Sequence, residues 1–446
     1  MRKAAIGIAA VAAMIGTPVV AADMAVKAPP VPPALTVPSW EGFYLGVDAG
    51  YGIGITNFSQ PIQGNFIGTH GFVSGLLGGY NHMVVPRWLV GVEADVNWGN
   101  VAHKDRFDDG FGDVLEIKIS EKTASSLRGR FGYLLEPNTL LYLTAGWSWA
   151  RFNYTFATTF AGGESSNVAV NGPEVGIGAE TMLGAGWSAR LEYLEAFYNY
   201  GSFASPLLGT VTSLLGTGNN FATIYQKPAV GIGRVALIYR FGSGDGAPSA
   251  APSPTPSWNG PTIAATVAAV SGTAKVDSWV APGNTIDGIG ASGVLPTVLL
   301  GYNWRIAPRW VFGVDAGAAP GLSTTKVQLD WTESSHARFG YLLTPATMVY
   351  ASIGWFGTGF RTTNLAGKAI IVPQQRANGL AIGGGVETAL DAHWAARFAY
   401  QYGFVQTVSN VLVTVNAGPQ TVQLPVSVHP QVQSAEAGVV YHFDLL

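Results

Sequence analysis

The chain has 446 residues, enough for two or three domains, and is 48 % hydrophobic but only 11 % charged. Soluble proteins average roughly 25 % charged residues. The absence of cysteine excludes a disulfide framework and a thiolate metal centre, and a net charge of −3 gives nucleic acid nothing to bind. Few charges with 58 glycines and 11 % aromatics suit a protein that meets lipid through strands.

In chain order, Met1-Arg2-Lys3 is a short basic start and Ala4 to Val20 an apolar run ending near Pro18. With the small residues Ala21-Ala22 this reads as a secretory signal peptide over 1–22, cut after Ala22. Residues 23–38 carry Pro29, Pro30, Pro32, Pro33 and Pro38 and form an extended periplasmic linker. Beyond the signal no uncharged apolar run reaches the roughly 18 residues of a membrane helix. An exported, apolar chain without such helices can still cross a membrane as a closed β-barrel.

The strand signal is a period of two. Phe43, Leu45, Val47, Ala49 and Tyr51 share one face, against Tyr44, Gly46, Asp48 and Gly50. The same alternation sets Val92, Ala94 and Val96 against Glu93, Asp95 and Asn97, and Leu127, Phe131 and Tyr133 against Arg128 and Arg130. It returns in Leu141 to Trp149, in Trp187 to Tyr193 and in Val235 to Phe241, the last opposite Arg234 and Arg240. In a soluble sandwich the apolar face would point inward; in a small barrel it points to lipid. Short turns are expected around Pro86, Pro137-Asn138 and Gly184, and long joins at about 53–70, 98–116, 153–170 and 197–226. Short turns on the periplasmic rim and long loops outside are the topology of transmembrane barrels. Eight strands fit in the first half.

Residues 242–256 are a second Gly/Pro/Ser linker, after which the pattern repeats. Gly79-Tyr80-Asn81 and Pro86-Arg87-Trp88 return as Gly301-Tyr302-Asn303 and Pro308-Arg309-Trp310. Arg130-Phe131-Gly132-Tyr133 returns as Arg338-Phe339-Gly340-Tyr341, and Tyr239-Arg240-Phe241 as Tyr441-His442-Phe443. The organisation expected is a first eight-stranded barrel over 39–241 and a second, degenerate one over 257–446.

Trp40-Glu41-Gly42-Phe43-Tyr44, Gly91-Val92-Glu93-Ala94-Asp95, Arg190-Leu191-Glu192-Tyr193 and the closing Val235 to Phe241 resemble the small outer-membrane immunogens of alphaproteobacteria. These belong to the superfamily of the OmpA transmembrane domain. The resemblance covers 1–241 well and 257–446 loosely. It implies an all-β, transmembrane antiparallel barrel in the outer membrane with surface-exposed loops, and no enzyme. The second copy departs from the pattern with Pro261 for Phe43, Thr266 for Asp48 and Ala399 for Glu192. The chain also ends Phe443-Asp444-Leu445-Leu446, where the family finishes on an aromatic residue.

The candidate site is the inward charge set. In the first copy it holds Asp48, Glu93, Asp95, Arg128, Arg130, Glu180, Arg190 and Glu192; in the second, Asp315, His336, Arg338, Glu387 and Arg397. An eight-stranded lumen is just wide enough for side chains to fill, so a structural salt-bridge plug is expected, with pore lining the alternative role. The histidines show no metal spacing, with His70 and His103 placed in loops. No Gly-x-Ser-x-Gly elbow or cofactor motif appears. The acids around Lys104 to Gly110 are read as a solvated loop, with a Ca²⁺ or lipopolysaccharide-cation contact as the rival. Trp40, Trp88, Trp187 and Trp258 are expected at the periplasmic interface, and Trp98, Trp147 and Trp149 at the outer one.

The function expected is a structural and surface role in the envelope. Its partners are membrane lipid, lipopolysaccharide and the barrel-assembly machinery, with homo-oligomerisation open. The rivals are a sixteen-stranded porin passing small polar solutes and a soluble secreted β-protein that binds a ligand.

Overall fold

The computed structural model describes residues 39–58, 66–108, 114–159, 162–207, 223–241, 255–278, 285–321, 327–365, 370–417 and 420–444. The signal peptide, the Pro-rich linker and most of the second linker lie outside them. The first half forms β1 (Gly42–Phe58), β2 (Phe66–Val85), β3 (Trp88–Asp108), β4 (Val114–Glu136), β5 (Thr139–Thr158), β6 (Gly162–Gly184), β7 (Trp187–Phe197), β8 (Gly201–Ala204) and β9 (Thr223–Arg240). The second forms β10 (Gly260–Ser278), β11 (Thr285–Ala307), β12 (Trp310–Pro320), β13 (Val327–Leu342), β14 (Thr347–Leu365), β15 (Ile370–Ala389), β16 (Trp394–Val405), β17 (Val408–Ala417) and β18 (Gln420–His442).

The antiparallel registers close two rings. Neighbours pair in order from β1 to β7, then β7 pairs with β9, and β9 returns to β1 at Leu45↔Tyr239. β8 prolongs β7 after a break and also pairs with β9. In the second ring β16 pairs with β18, which returns to β10 at Ile263↔Tyr441, and β17 prolongs β16. Between the halves the registers give only single-residue bridges, Ile67↔Ile289 and Arg106↔Thr285. The sixteen-stranded ring is therefore not the arrangement: each half's last strand hydrogen-bonds to its own first strand.

The outward face of the lower strands is apolar and exposed, as Phe43, Leu45, Val92, Leu127, Phe131, Val235 and Leu237 show. Tryptophans bound this band, Trp187 below and Trp98, Trp147 and Trp149 above. Trp40 and Trp258 differ from expectation. Both are buried, and each donates from Nε1 to a turn carbonyl, of Pro137 and Pro345 respectively, at 2.8 Å. They precede their first strands, so the alternation does not reach them, and they fold inward to close the periplasmic mouths.

The joins expected at 53–70, 98–116 and 153–170 are largely strand. Beyond the upper tryptophans the alternation keeps its phase but exchanges its chemistry. In β5, Leu143, Trp147 and Trp149 face out and Thr144 and Ser148 in, whereas higher up Arg151 is exposed and Phe152, Tyr154 and Phe156 are buried. Water has replaced lipid outside, so apolar residues move to the inside. His70 and His103 consequently lie in β2 and β3, and Lys104 to Asp108 continue β3.

The two barrels stand side by side. Ala179, Tyr193 and Phe398 alternate with lumen residues, so they face outward, yet they are buried in one cluster with Val386 and Ala435. Tyr193 Oη lies 3.1 Å from Ser271 Oγ, and Gln433 Nε2 donates to the Gly231 carbonyl at 2.9 Å. The Tyr400 ring rests on Gly233, where a Cβ would fall well inside contact distance. Gly233→Val is therefore expected to destabilise the full chain by about 1–3 kcal/mol in urea unfolding from lipid vesicles. Gly129→Ala, whose Cβ would meet nothing closer than 3.8 Å, should stay within about 0.5 kcal/mol of the parent.

Candidate functional site

Inward-facing alternate positions of the strands bring the candidate charges together in the two lumens. In the first, Arg128 on β4 reaches Glu93 and Asp95 on β3, both at 2.7 Å, and Glu174 on β6 at 2.5 Å. Arg190 on β7 bridges Glu93 at 2.6 Å and Glu180 at 3.0 Å, and Arg130 meets Glu180 at 3.0 Å. Arg234 on β9 holds Glu192 at 2.6 Å, Asp95 at 3.0 Å and Asp48 at 3.4 Å. Arg240 pairs with Glu180 and lies over the Trp40 ring, 4.4 Å from its centroid. Tyr44 donates to Glu93 at 2.8 Å, and Tyr142 to Glu192 at 2.7 Å.

Five guanidiniums thus meet six carboxylates, all buried. Fixed counter-charges on every side are what make such burial tolerable. Arg234 and Arg240 carry as much of this network as the residues singled out from sequence. Their alternation with Val235 and Tyr239 already marked them as inward. Glu174 was not singled out because Gly172, Pro173 and Gly176 break the alternation around it.

Two apolar layers enclose the charges. Below them Trp40, Leu89, Leu134, Leu140, Tyr142 and Met182 pack together, and above them Phe152, Tyr154, Phe156, Tyr198 and Phe203 form the centre of a larger cluster. Among the described residues the charge network of the first lumen is therefore packed between apolar side chains below and above.

The second lumen keeps only the lower tier. Asp315 meets His336 Nδ1 and Arg338 Nε at 2.9 Å and Arg397 at 3.3 Å. Glu387 meets Arg397 at 3.0 Å, Arg338 at 3.2 Å and His442 Nε2 at 2.9 Å. His442 stands where Arg240 does in the first copy. The upper-tier positions of Asp48, Asp95, Glu174, Glu192 and Arg234 hold Thr266, Gly317, Ala381, Ala399 and Glu436.

The acidic loop reading of Lys104 to Gly110 gives way to a strand. Asp105 is buried, with its Oδ2 2.9 Å from His103 Nε2, while Lys104 reaches Glu116 at 3.4 Å. Among the described residues no group of three His, Asp or Glu side chains is arranged to hold a metal ion.

Glu121 is a buried carboxyl that makes no ion pair with an arginine among the described residues. It pairs across β4 and β5 with Phe152, beyond the upper tryptophans and so outside the membrane-spanning segment. Burial pushes it up to about 8, and the Glu174 charge adds to the shift.

Three comparisons with known proteins follow the same outline. The model of the outer membrane protein beta-barrel domain family matches residues 10–222. The chain is 32 % identical over 170 residues to a 22 kDa outer membrane protein of Rhizobium leguminosarum bv. viciae, covering 38 % of this chain and 68 % of the relative. It is 28 % identical over 250 residues to the 31 kDa outer-membrane immunogenic protein of Brucella melitensis biotype 1, covering 52 % of this chain and 98 % of the relative. Among solved structures, OprG of Pseudomonas aeruginosa aligns with 43 % of the chain and 99 % of its own at 16 % identity and a TM-score of 0.30. A Pseudomonas aeruginosa FadL homologue aligns with 90 % of the chain and 91 % of its own at 11 % identity and a TM-score of 0.31. Scores this low carry no argument about function.

Two outcomes are expected. Arg128→Ala leaves Glu93 and Glu174 facing each other and should cost about 3–5 kcal/mol in urea unfolding. The raised Glu121 gives stability that is full below the unfolded-state value of 4.5 and is lost as pH rises through about 8. Glu121→Gln should therefore gain on the parent by roughly 1–3 kcal/mol at pH 8.5 and not at pH 4.

Proposed function

Because the chain belongs to the outer membrane β-barrel protein family and resides in the outer membrane, we propose that it is a structural and surface protein of the envelope rather than a conduit. The supporting observation is the filled first lumen, in which a charge network is closed above and below by apolar side chains. The inward charges then act as a plug that holds eight strands in register, not as a pore lining. What reaches the surroundings is the outward face of the protruding strands.

That face carries exposed Lys118, Lys122 and Arg151, and beside them Lys104, above the tryptophan band. Cations at this height meet the phosphates of lipopolysaccharide, which is the proposed lipid partner. Insertion through the barrel-assembly machinery belongs to the same reading.

Planar-bilayer recording on the refolded full chain tests it. No stable open level of porin size is expected; stable channels of that size would sink the proposal. Charge reversal at Lys118, Lys122 and Arg151 together should weaken lipopolysaccharide binding about tenfold or more at low salt, with little loss at high salt.

A further inference from the structure

The two lumens share a lower tier, and they part above it. In the second, the long charged pairs of the upper tier are replaced by Thr266, Ala381 and Ala399, with Glu436 in place of Arg234. A cavity of about 180 Å³ opens there. Its wall is mostly apolar: Ala268, Val270, Leu295, Phe356, Ala377 and Ala381 contribute. Val411, Val426 and Val428 pack near Phe360 and Val276 further up the barrel. An apolar cavity of roughly 150 Å³ in another protein stays dry and takes up benzene, so this one is large enough for a single ring.

Threonine, serine and glutamine side chains also line the cavity, and the two ionisable groups in the wall are His336 and Glu436. His336 is buried, and its Nδ1 sits 2.9 Å from Asp315 Oδ1. Asp315 is flanked by Arg338 and Arg397, which keeps it an acceptor for Nδ1. Nε2, on the other side of the ring, is buried and without a partner, and the ring lines the cavity. Glu436 lines it too. It makes no ion pair among the described residues, and its nearest hydrogen-bond donor is Thr266 Oγ1 at 3.4 Å. Both groups can hydrogen-bond an occupant, and a buried polar atom left without a partner is costly.

We propose that the lumen of the second barrel binds a small, mostly apolar molecule of about one ring that carries a hydroxyl group. The ring fills the alanine- and valine-lined space, and the hydroxyl, which can donate or accept, hydrogen-bonds to His336 Nε2 or the Glu436 carboxyl group. The Glu436 carboxyl group in the wall disfavours anions.

The test is ¹⁹F NMR of 4-fluorophenol added to the full chain in detergent micelles. A saturable bound resonance, displaced by phenol, is expected. Fluorobenzene, which lacks the donor, should bind about tenfold more weakly. Ala381→Phe, which fills the cavity, should abolish the bound resonance while the heat-modifiable gel shift is retained. If that variant does not fold, Ala377→Leu makes the same test with a smaller side chain. The proposal is overturned by no saturable resonance in the parent, by undiminished binding in the folded cavity-filled variant, or by fluorobenzene binding as tightly as fluorophenol.

Discussion

Backbone amides in a hydrocarbon layer have no water to bond, so every strand there needs a neighbour on both edges. That constraint governs the rest of this molecule. It makes β9 return to β1 and β18 return to β10. Once a ring of eight is closed, its bore is only as wide as the side chains inside it. Whatever points inward must pack, and whatever is charged must be paired. The Arg128, Arg190 and Arg234 network is the outcome of that geometry before it is anything else.

The two copies show how much latitude the constraint leaves. The lower tier is kept as Glu93 or Asp315, Arg130 or Arg338, Glu180 or Glu387, and Arg190 or Arg397. It sits above the tryptophan plug, where removal of any one member would strand the others. The upper tier was lost as a group in the second copy, its long side chains giving way to alanine, glycine and threonine. Losing the Asp48, Asp95, Glu174 and Glu192 carboxylates together avoids most of the unpaired charge that losing one arginine would leave. The outcome is space, with Glu436 standing in its wall.

Much of the fold was legible because lipid and lumen impose opposite chemistries on alternate residues. Phe43 to Tyr51 or Leu141 to Trp149 can be read in no other register. Legibility stops at the membrane edge. Above Trp149 the outward Arg151 and inward Phe152 follow the same geometry under a different solvent, and a rule tuned to lipid reads them as loop. Trp40 was misread for a related reason: it lies two residues before the strand, where alternation gives no direction. The burial of His103 escaped notice on the same grounds, whereas Glu174 and Glu436 lie at membrane depth among glycine, proline and alanine neighbours that blur the alternation.

The sequence by itself determined the repeat, the eight-strand count in each half and the inward placement of Asp48, Glu93, Arg128 and Glu180. Each follows from a period of two, which is local and needs no partner to be seen. Tertiary structure decided what depends on residues far apart in the chain. It decided that each half closes on itself, that Tyr400 rests on Gly233 across two barrels, and that one lumen is full while the other holds a cavity. Those features depend on which side chains meet across a ring, and volume, unlike alternation, is not written along a single strand.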